Sequence, residues 1–184
     1  MLKFPPIKYD LPKILIYGRN LPNNYKEFIA FPTNKNKTGY GRMICRKIEE
    51  PLFSPQKSPL LLIDFLYSFG ENKGFGSALV NFAKYYSKKN GANGNIGLKA
   101  DVSFQPLRIP HVFYRKMGFG TLESQANKKL DKAIENHKDL TYKDLPCRLM
   151  FYPAPKVKQE KTTLFEKIKE YGKIIIDKIK LKLK

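Results

Sequence analysis

The spacing of hydrophobic positions along this chain changes several times, and each change marks an expected element. Residues 13–18 form a short apolar run that predicts a strand, and Asn20–Asn24, around Pro22, predicts a turn. Phe28–Phe31 predicts a second strand. The polar stretch Asn34–Gly39 reads as a hairpin-like loop leading into a strand over Tyr40–Ile48, and Pro51–Pro59 is a loop bracketed by prolines. Leu60–Tyr67 is an apolar run of strand length, the pattern of a strand covered on both faces.

Beyond the turn at Gly70–Gly76 the period becomes helical. Phe75, Ala78, Leu79, Phe82 and Tyr86 fall on one stripe, so an amphipathic helix is expected from Phe75 to about Lys89. Asn90–Asn95, rich in Gly and Asn, closes it. Ile96, Leu98, Ala100 and Val102 then alternate as a strand. Strand, helix and strand together have the length of a parallel crossover unit. Pro110–Met117 predicts a short helix, with Pro at its first position and Gly118 as its C-terminal cap. Ala126–His137 predicts a surface helix and Arg148–Tyr152 a last strand. Pro153 and Pro155 separate residues 1–152, read as one domain, from residues 153–184, read as a linker and tail. In that tail Leu164, Ile168, Tyr171, Ile175 and Ile179 share a helical stripe among ten lysines and four acids, which predicts a basic amphipathic helix.

Composition narrows the function classes. The 184 residues suit one domain with an appendage, and the formal charge is +19. Such a charge favours anionic partners: nucleic acid, anionic lipid or a phosphate-rich small molecule. Nearly all of it is lysine, with arginine only at positions 19, 42, 46, 108, 115 and 148. Arginine is the residue that forks onto base edges and phosphates, so sequence-specific nucleic-acid binding is not expected. Residues 162–184 could instead make peripheral contact with an anionic surface, or dock on the protein itself. Cys45 and Cys147 lack CxxC spacing and histidine neighbours, so no metal site is expected. With no apolar signal segment at the N-terminus, a cytoplasmic location with reduced thiols is the expectation.

Glu71-Asn72-Lys73-Gly74-Phe75-Gly76-Ser77-Ala78 opens the long helix. A helix N-terminus has free backbone N–H groups and the positive end of its dipole, and glycines let a phosphate sit directly on those amides. The segment is neither a P-loop nor a Rossmann fingerprint, since it lacks Gly-x-x-x-x-Gly-Lys-Ser/Thr and the third glycine. His111-Val112-Phe113-Tyr114-Arg115-Lys116-Met117-Gly118-Phe119 supplies the second motif. An apolar strand, a Gly-x-Gly turn opening a helix, a strand, then Phe-Tyr-x-x-x-Gly-Phe: in this order the chain resembles the GNAT superfamily of acyl-CoA-dependent N-acyltransferases, over roughly residues 40–152.

That resemblance implies an α/β (α+β) fold: a central mixed, twisted sheet flanked by helices, followed here by the basic C-terminal helix. It implies acetyl-CoA as co-substrate and an amine, on a small molecule or a protein, as acceptor. Leu66, Tyr67 and Ser68 at the end of the apolar strand, the backbone of Lys73, Gly74, Phe75, Gly76 and Ser77, and Phe113 would contact coenzyme A. Tyr114 matches the tyrosine that protonates the departing thiolate. Asp64, a carboxylate in an apolar strand, is the first choice of general base, with His111 second. Glu71 departs from the family's Gln or Arg, and Leu107 and Pro110 stand where it has Asn and Ala. These departures keep open a coenzyme A- or anion-binding module of the same fold without efficient catalysis, and a basic membrane- or nucleic-acid-associated protein.

Overall fold

The computed structural model describes residues 14–34, 38–51, 54–55, 58–69, 74–101, 109–146 and 148–155. Lys73, Glu71, Leu107, Cys147 and the amphipathic segment 162–184 lie outside the described residues. The elements run β1 (Ile14–Asn20), β2 (Tyr25–Pro32), β3 (Tyr40–Ile48), β4 (Leu60–Phe69), α1 (Phe75–Lys89), β5 (Ile96–Ala100), α2 (His111–Lys116), α3 (Ser124–Glu135) and β6 (Arg148–Tyr152). The six strands form one sheet in chain order. All neighbours are antiparallel except β4 and β5, which are parallel. Parallel neighbours need a crossover, and α1 provides it.

One face of the sheet packs on α1. Strand periodicity puts Ile16, Phe28, Ala30, Met43, Cys45 and Ile63 on that face, where they meet Phe75, Leu79, Phe82 and Ala83 of the helix. The Phe28 and Phe82 rings lie 4.7 Å apart. Gly41 sets how close the helix comes: a Cβ there would lie 2.8 Å from a Leu79 methyl and 3.0 Å from the Phe75 Cβ. Helix α2 lies beside α1, with the Lys84 ammonium donating to the Met117 carbonyl at 2.7 Å. Helix α3 is tied to α2 by the two-point Arg115–Asp131 pair, at 2.7 and 2.8 Å.

Several expectations need correction. Pro110 sits just outside α2 as its N-terminal cap residue rather than in its first turn, and α3 begins and ends two residues earlier than the periodicity suggests. The larger correction concerns β4. Leu60, Leu61 and Ile63 are buried, whereas Asp64, Phe65, Tyr67, Ser68 and Phe69 are exposed. An apolar run was read as a strand covered twice, yet from Asp64 onward this strand is covered on one face only. The other face of β1–β4 carries Tyr17, Phe31, Tyr40, Phe65, Tyr67 and Phe69, all at least 39% exposed. No described helix packs on it.

Candidate functional site

The β4–β5 pairing is short. Leu61, Leu62 and Ile63 pair with Ile96, Gly97 and Leu98, and beyond Ile63 no described strand pairs with this edge of β4. The parting coincides with an irregularity on the other edge: Ile44 pairs with Phe65 and Cys45 with Ile63, so Asp64 is the extra residue of a bulge. A bulge turns the strand more sharply, and here it coincides with the end of the β4–β5 ladder. Among the described residues this leaves the second half of β4 with a free edge beside the end of β5.

The N-terminus of α1 lies close by. Gly74 takes a left-handed conformation, φ 80°, and no described side chain caps the helix. Among the described residues, a Cβ at Gly74 would meet only the tip of Ile14, at 3.9 Å. The first helical bond runs from Ala78 N–H to the Gly74 carbonyl at 2.9 Å, which leaves the amides of Phe75, Gly76 and Ser77 without intrahelical acceptors. There is no acid in the first helical turn. The arrangement suits an anion held by main-chain N–H groups at the positive end of the dipole.

Gly76 connects this turn to the other motif. A Cβ at Gly76 would lie 3.5 Å from the Phe113 ring tip and 4.0 Å from a Leu66 methyl. The end of β4, the start of α1 and helix α2 therefore converge on one place, bringing together Leu66, Gly76 and Phe113. Phe75 points the other way, into the core, so only its backbone faces this place. Ser68 lies across from Gly41, and Tyr67, across from Arg42, belongs to the opposite, open face.

Tyr114 follows Phe113 into the protein. Its ring packs against Phe113 at 5.1 Å and Phe119 at 5.8 Å, and it is 7% exposed. Burial raises its hydroxyl pKa to about 12, so it holds its proton throughout the neutral range. His111 on the same helix is wholly buried. Burial lowers its pKa to about 4; the Pro146 carbonyl works against that shift and the Arg148 charge adds to it. No well-formed hydrogen bond reaches either ring nitrogen among the described residues. The imidazole is therefore neutral near pH 7 and lies wholly inside the protein.

Asp64 is placed differently from Tyr114. Its carboxylate pairs with Arg46 at 3.3 Å, and Arg46 alternates with buried Cys45, so the pair lies on the open face of the sheet. Burial raises the Asp64 pKa and Arg46 partly restores it. Nothing among the described contacts joins Asp64 to Tyr114.

The pattern missed a buried carboxylate. Glu27 is 1% exposed and accepts from Arg19 and from Arg42, the latter at 2.5 Å. Burial alone would raise its pKa, but the hydrogen bonds and charges of the two guanidinium groups outweigh it and hold the carboxyl below its usual range. A signal was present. In a chain that uses lysine almost everywhere, three of its six arginines, Arg19, Arg42 and Arg46, fall on β1 and β3, the strands on either side of Glu27 in β2.

A separate cavity of about 320 Å³ lies at the C-terminal end of α1, lined by Lys26, Lys47, Tyr86 and Asn90 among others. It contains no residue of either motif. Among the described residues no cluster of three His, Cys, Asp or Glu side chains could hold a metal, and no helix is long and apolar enough to cross a membrane. Comparison of the chain with protein-family models and with curated proteins gives no match.

Proposed function

We propose that this protein is an N-acyltransferase that moves an acetyl group from acetyl-CoA to an amine by direct attack within a ternary complex. The observation that carries this reading is the start of α1, uncapped by any described side chain and close to Leu66 on the part of β4 beyond the β4–β5 ladder. The free amides at Phe75, Gly76 and Ser77 would hold the pyrophosphate. The edge of β4 around Leu66–Ser68, which no described strand pairs, would offer backbone donors and acceptors to an extended ligand rich in amides, as an exposed strand edge does to a peptide. Phe113 and Leu66 would line the path between them.

The chemistry is a balanced exchange. The amine nitrogen bonds to the thioester carbon, the carbon–sulfur bond breaks, and the electron pair leaves on sulfur. Tyr114, which keeps its proton at neutral pH, gives it to the thiolate. The proton lost from nitrogen passes to solvent water, since Asp64 lies with Arg46 on the open face of the sheet. A cytoplasmic protein of this charge would meet acceptors that are neutral or acidic more readily than strongly cationic ones.

The test is ligand-dependent thermal stability. Acetyl-CoA should raise Tm, because a ligand bound only by the folded state stabilises it. Gly74→Asp and Gly76→Asp should abolish that shift. At position 74 the new carboxylate would cap the very amides the phosphate needs, with about 1–2 kcal/mol lost to the left-handed backbone. An undiminished shift in both variants would eliminate the site. The Arg46–Asp64 pair favours one second reading, a coenzyme A- or anion-binding module with little turnover. Binding without acetyl transfer to any of a broad panel of amines would select it.

A further inference from the structure

The open face of β1–β4 is a different matter from the acyl-transfer site, and the inference drawn from it does not depend on that site. Tyr17 and Phe31 pack edge to face at 6.2 Å; Tyr40 meets Phe69 at 6.1 Å and Tyr67 at 6.4 Å; Phe65 stacks with Tyr67 at 6.4 Å. Phe31 follows Ala30 and Tyr40 precedes Gly41 in the Ala30–Gly41 pair, so the two groups of rings adjoin across β2 and β3. Together they leave on the order of 500 Å² of aromatic surface open, at the upper end for a monomer's largest apolar patch.

The described arginines on this face are all paired. Arg19 and Arg42 hold Glu27, Arg42 also lies over the Phe65 ring, and Arg46 holds Asp64 and lies over Tyr25. A phosphate backbone needs free cations, so this face suits an apolar occupant better than a nucleic acid.

We propose that the occupant is the chain's own C-terminal segment, with Leu164, Ile168, Tyr171, Ile175 and Ile179 of one helical stripe seated on the aromatic face and the lysines turned to water. A helix over residues 164–179 would be about 24 Å long, and four strands span about 14 Å between the outer axes, so its stripe covers the face. The connection reaches. The described chain ends at Pro155, whose ring would lie 3.3 Å from a Cβ at Gly120. Tyr152 is level with Ile96, which pairs with Leu61, and β6 lies two strands from β4. Tyr67 is therefore about 20 Å further along the strands and about 10 Å across them. Residues 156–163 can span about 26 Å, enough to join the two. Tethering on the same chain raises the local concentration of the stripe to the millimolar range, ahead of any partner in solution.

The experiment is limited chymotrypsin digestion of the full chain, following cleavage at Phe165 and Tyr171, since the connecting residues 156–163 hold no aromatic residue or leucine for that protease to cut. These sites should be cleaved slowly, at a rate independent of protein concentration. The double variant Tyr67→Asp/Phe69→Asp should release them at least tenfold faster, and Ile168→Asp should do the same from the other side. Tyr67 and Phe69 are 45% and 55% exposed, so the double variant keeps its fold; unchanged hydrogen-exchange protection of the α1 amides checks this. Three results would overturn the proposal. Cleavage in the unaltered chain as fast as in the variants means the tail does not dock. Protection that survives Tyr67→Asp/Phe69→Asp means it docks elsewhere. Protection that disappears on dilution, with a dimer in sedimentation, means the face is covered by a second copy.

Discussion

Tyr114 and His111 show how burial alone tunes neighbouring groups on one short helix in opposite directions. Both lose hydration; the phenol then resists giving up its proton and the imidazole resists taking one. Tyr114→Phe keeps the ring contacts and removes only the transferable proton. Acetyl-CoA binding should hold while turnover drops by about 10- to 10⁴-fold, the range general acid catalysis supplies. Steady-state rates with any accepted amine would check it, and full activity would leave Tyr114 as packing. For His111 the folded pKa lies below the unfolded value of 6.5, so the unfolded chain takes up a proton first as pH falls. Its stabilisation is complete above about pH 6.5 and is lost as pH drops toward 4. His111→Leu should flatten that limb, shrinking the stability change between pH 7 and 4 by on the order of 3 kcal/mol in urea titrations. An equally steep limb in the variant would mean that His111 titrates freely.

Among the elements, the pairing of α1 with the sheet governs both the core and the candidate site. The helix buries Leu79 and Phe82 completely, and such side chains each contribute about 1.5–3 kcal/mol. Its close approach depends on Gly41. Gly41→Ala should cost about 1–3 kcal/mol by pushing Leu79 and Phe75 aside, because a close-packed core does not absorb an added methyl freely. Because Phe75 begins the helix that carries the free amides, the same substitution should weaken acetyl-CoA binding as well. Chemical denaturation and a ligand titration on one variant would show whether the two losses travel together. The β4 bulge coincides with the end of the parallel ladder at Ile63, which leaves the strand edge beyond it unpaired by any described strand.

For the molecule as a whole, the buried cluster of the described residues runs from Ile16 to Met150. Ala154 is still tied to the described fold, since its N–H donates to the Gly118 carbonyl at 3.1 Å. Truncation after Pro155 should leave a single cooperative unfolding transition in calorimetry, because none of the described core residues is removed. If the tail covers the aromatic face as proposed, the truncation should also lower solubility at neutral pH. A shortened protein without a cooperative transition would show that the tail completes the core.

Local pattern was enough for much of this protein. The limits of β3, α1 and β6 follow from period and punctuation, because strand and helix alternation are properties of neighbouring residues. The turn at Gly74 was legible for the same reason: a glycine needed for a left-handed cap is a local requirement. What could not be read was anything that depends on which strands become neighbours and what covers them. The same apolar run reads alike whether both its faces are buried or one is bare, so the exposure of β4 beyond Asp64 had to come from packing. Leu66, Gly76 and Phe113 meet only because the crossover folds α1 back beside α2. Asp64 and Tyr114 looked like two ends of one reaction, yet the sheet places the carboxylate against Arg46 on its open face and the phenol among aromatic rings in the core. Glu27 passed unnoticed because a lone acid in a strand gains meaning only when two guanidinium groups arrive from the strands on either side. Spacing along the chain determined the elements; contacts between residues distant in sequence decided the site.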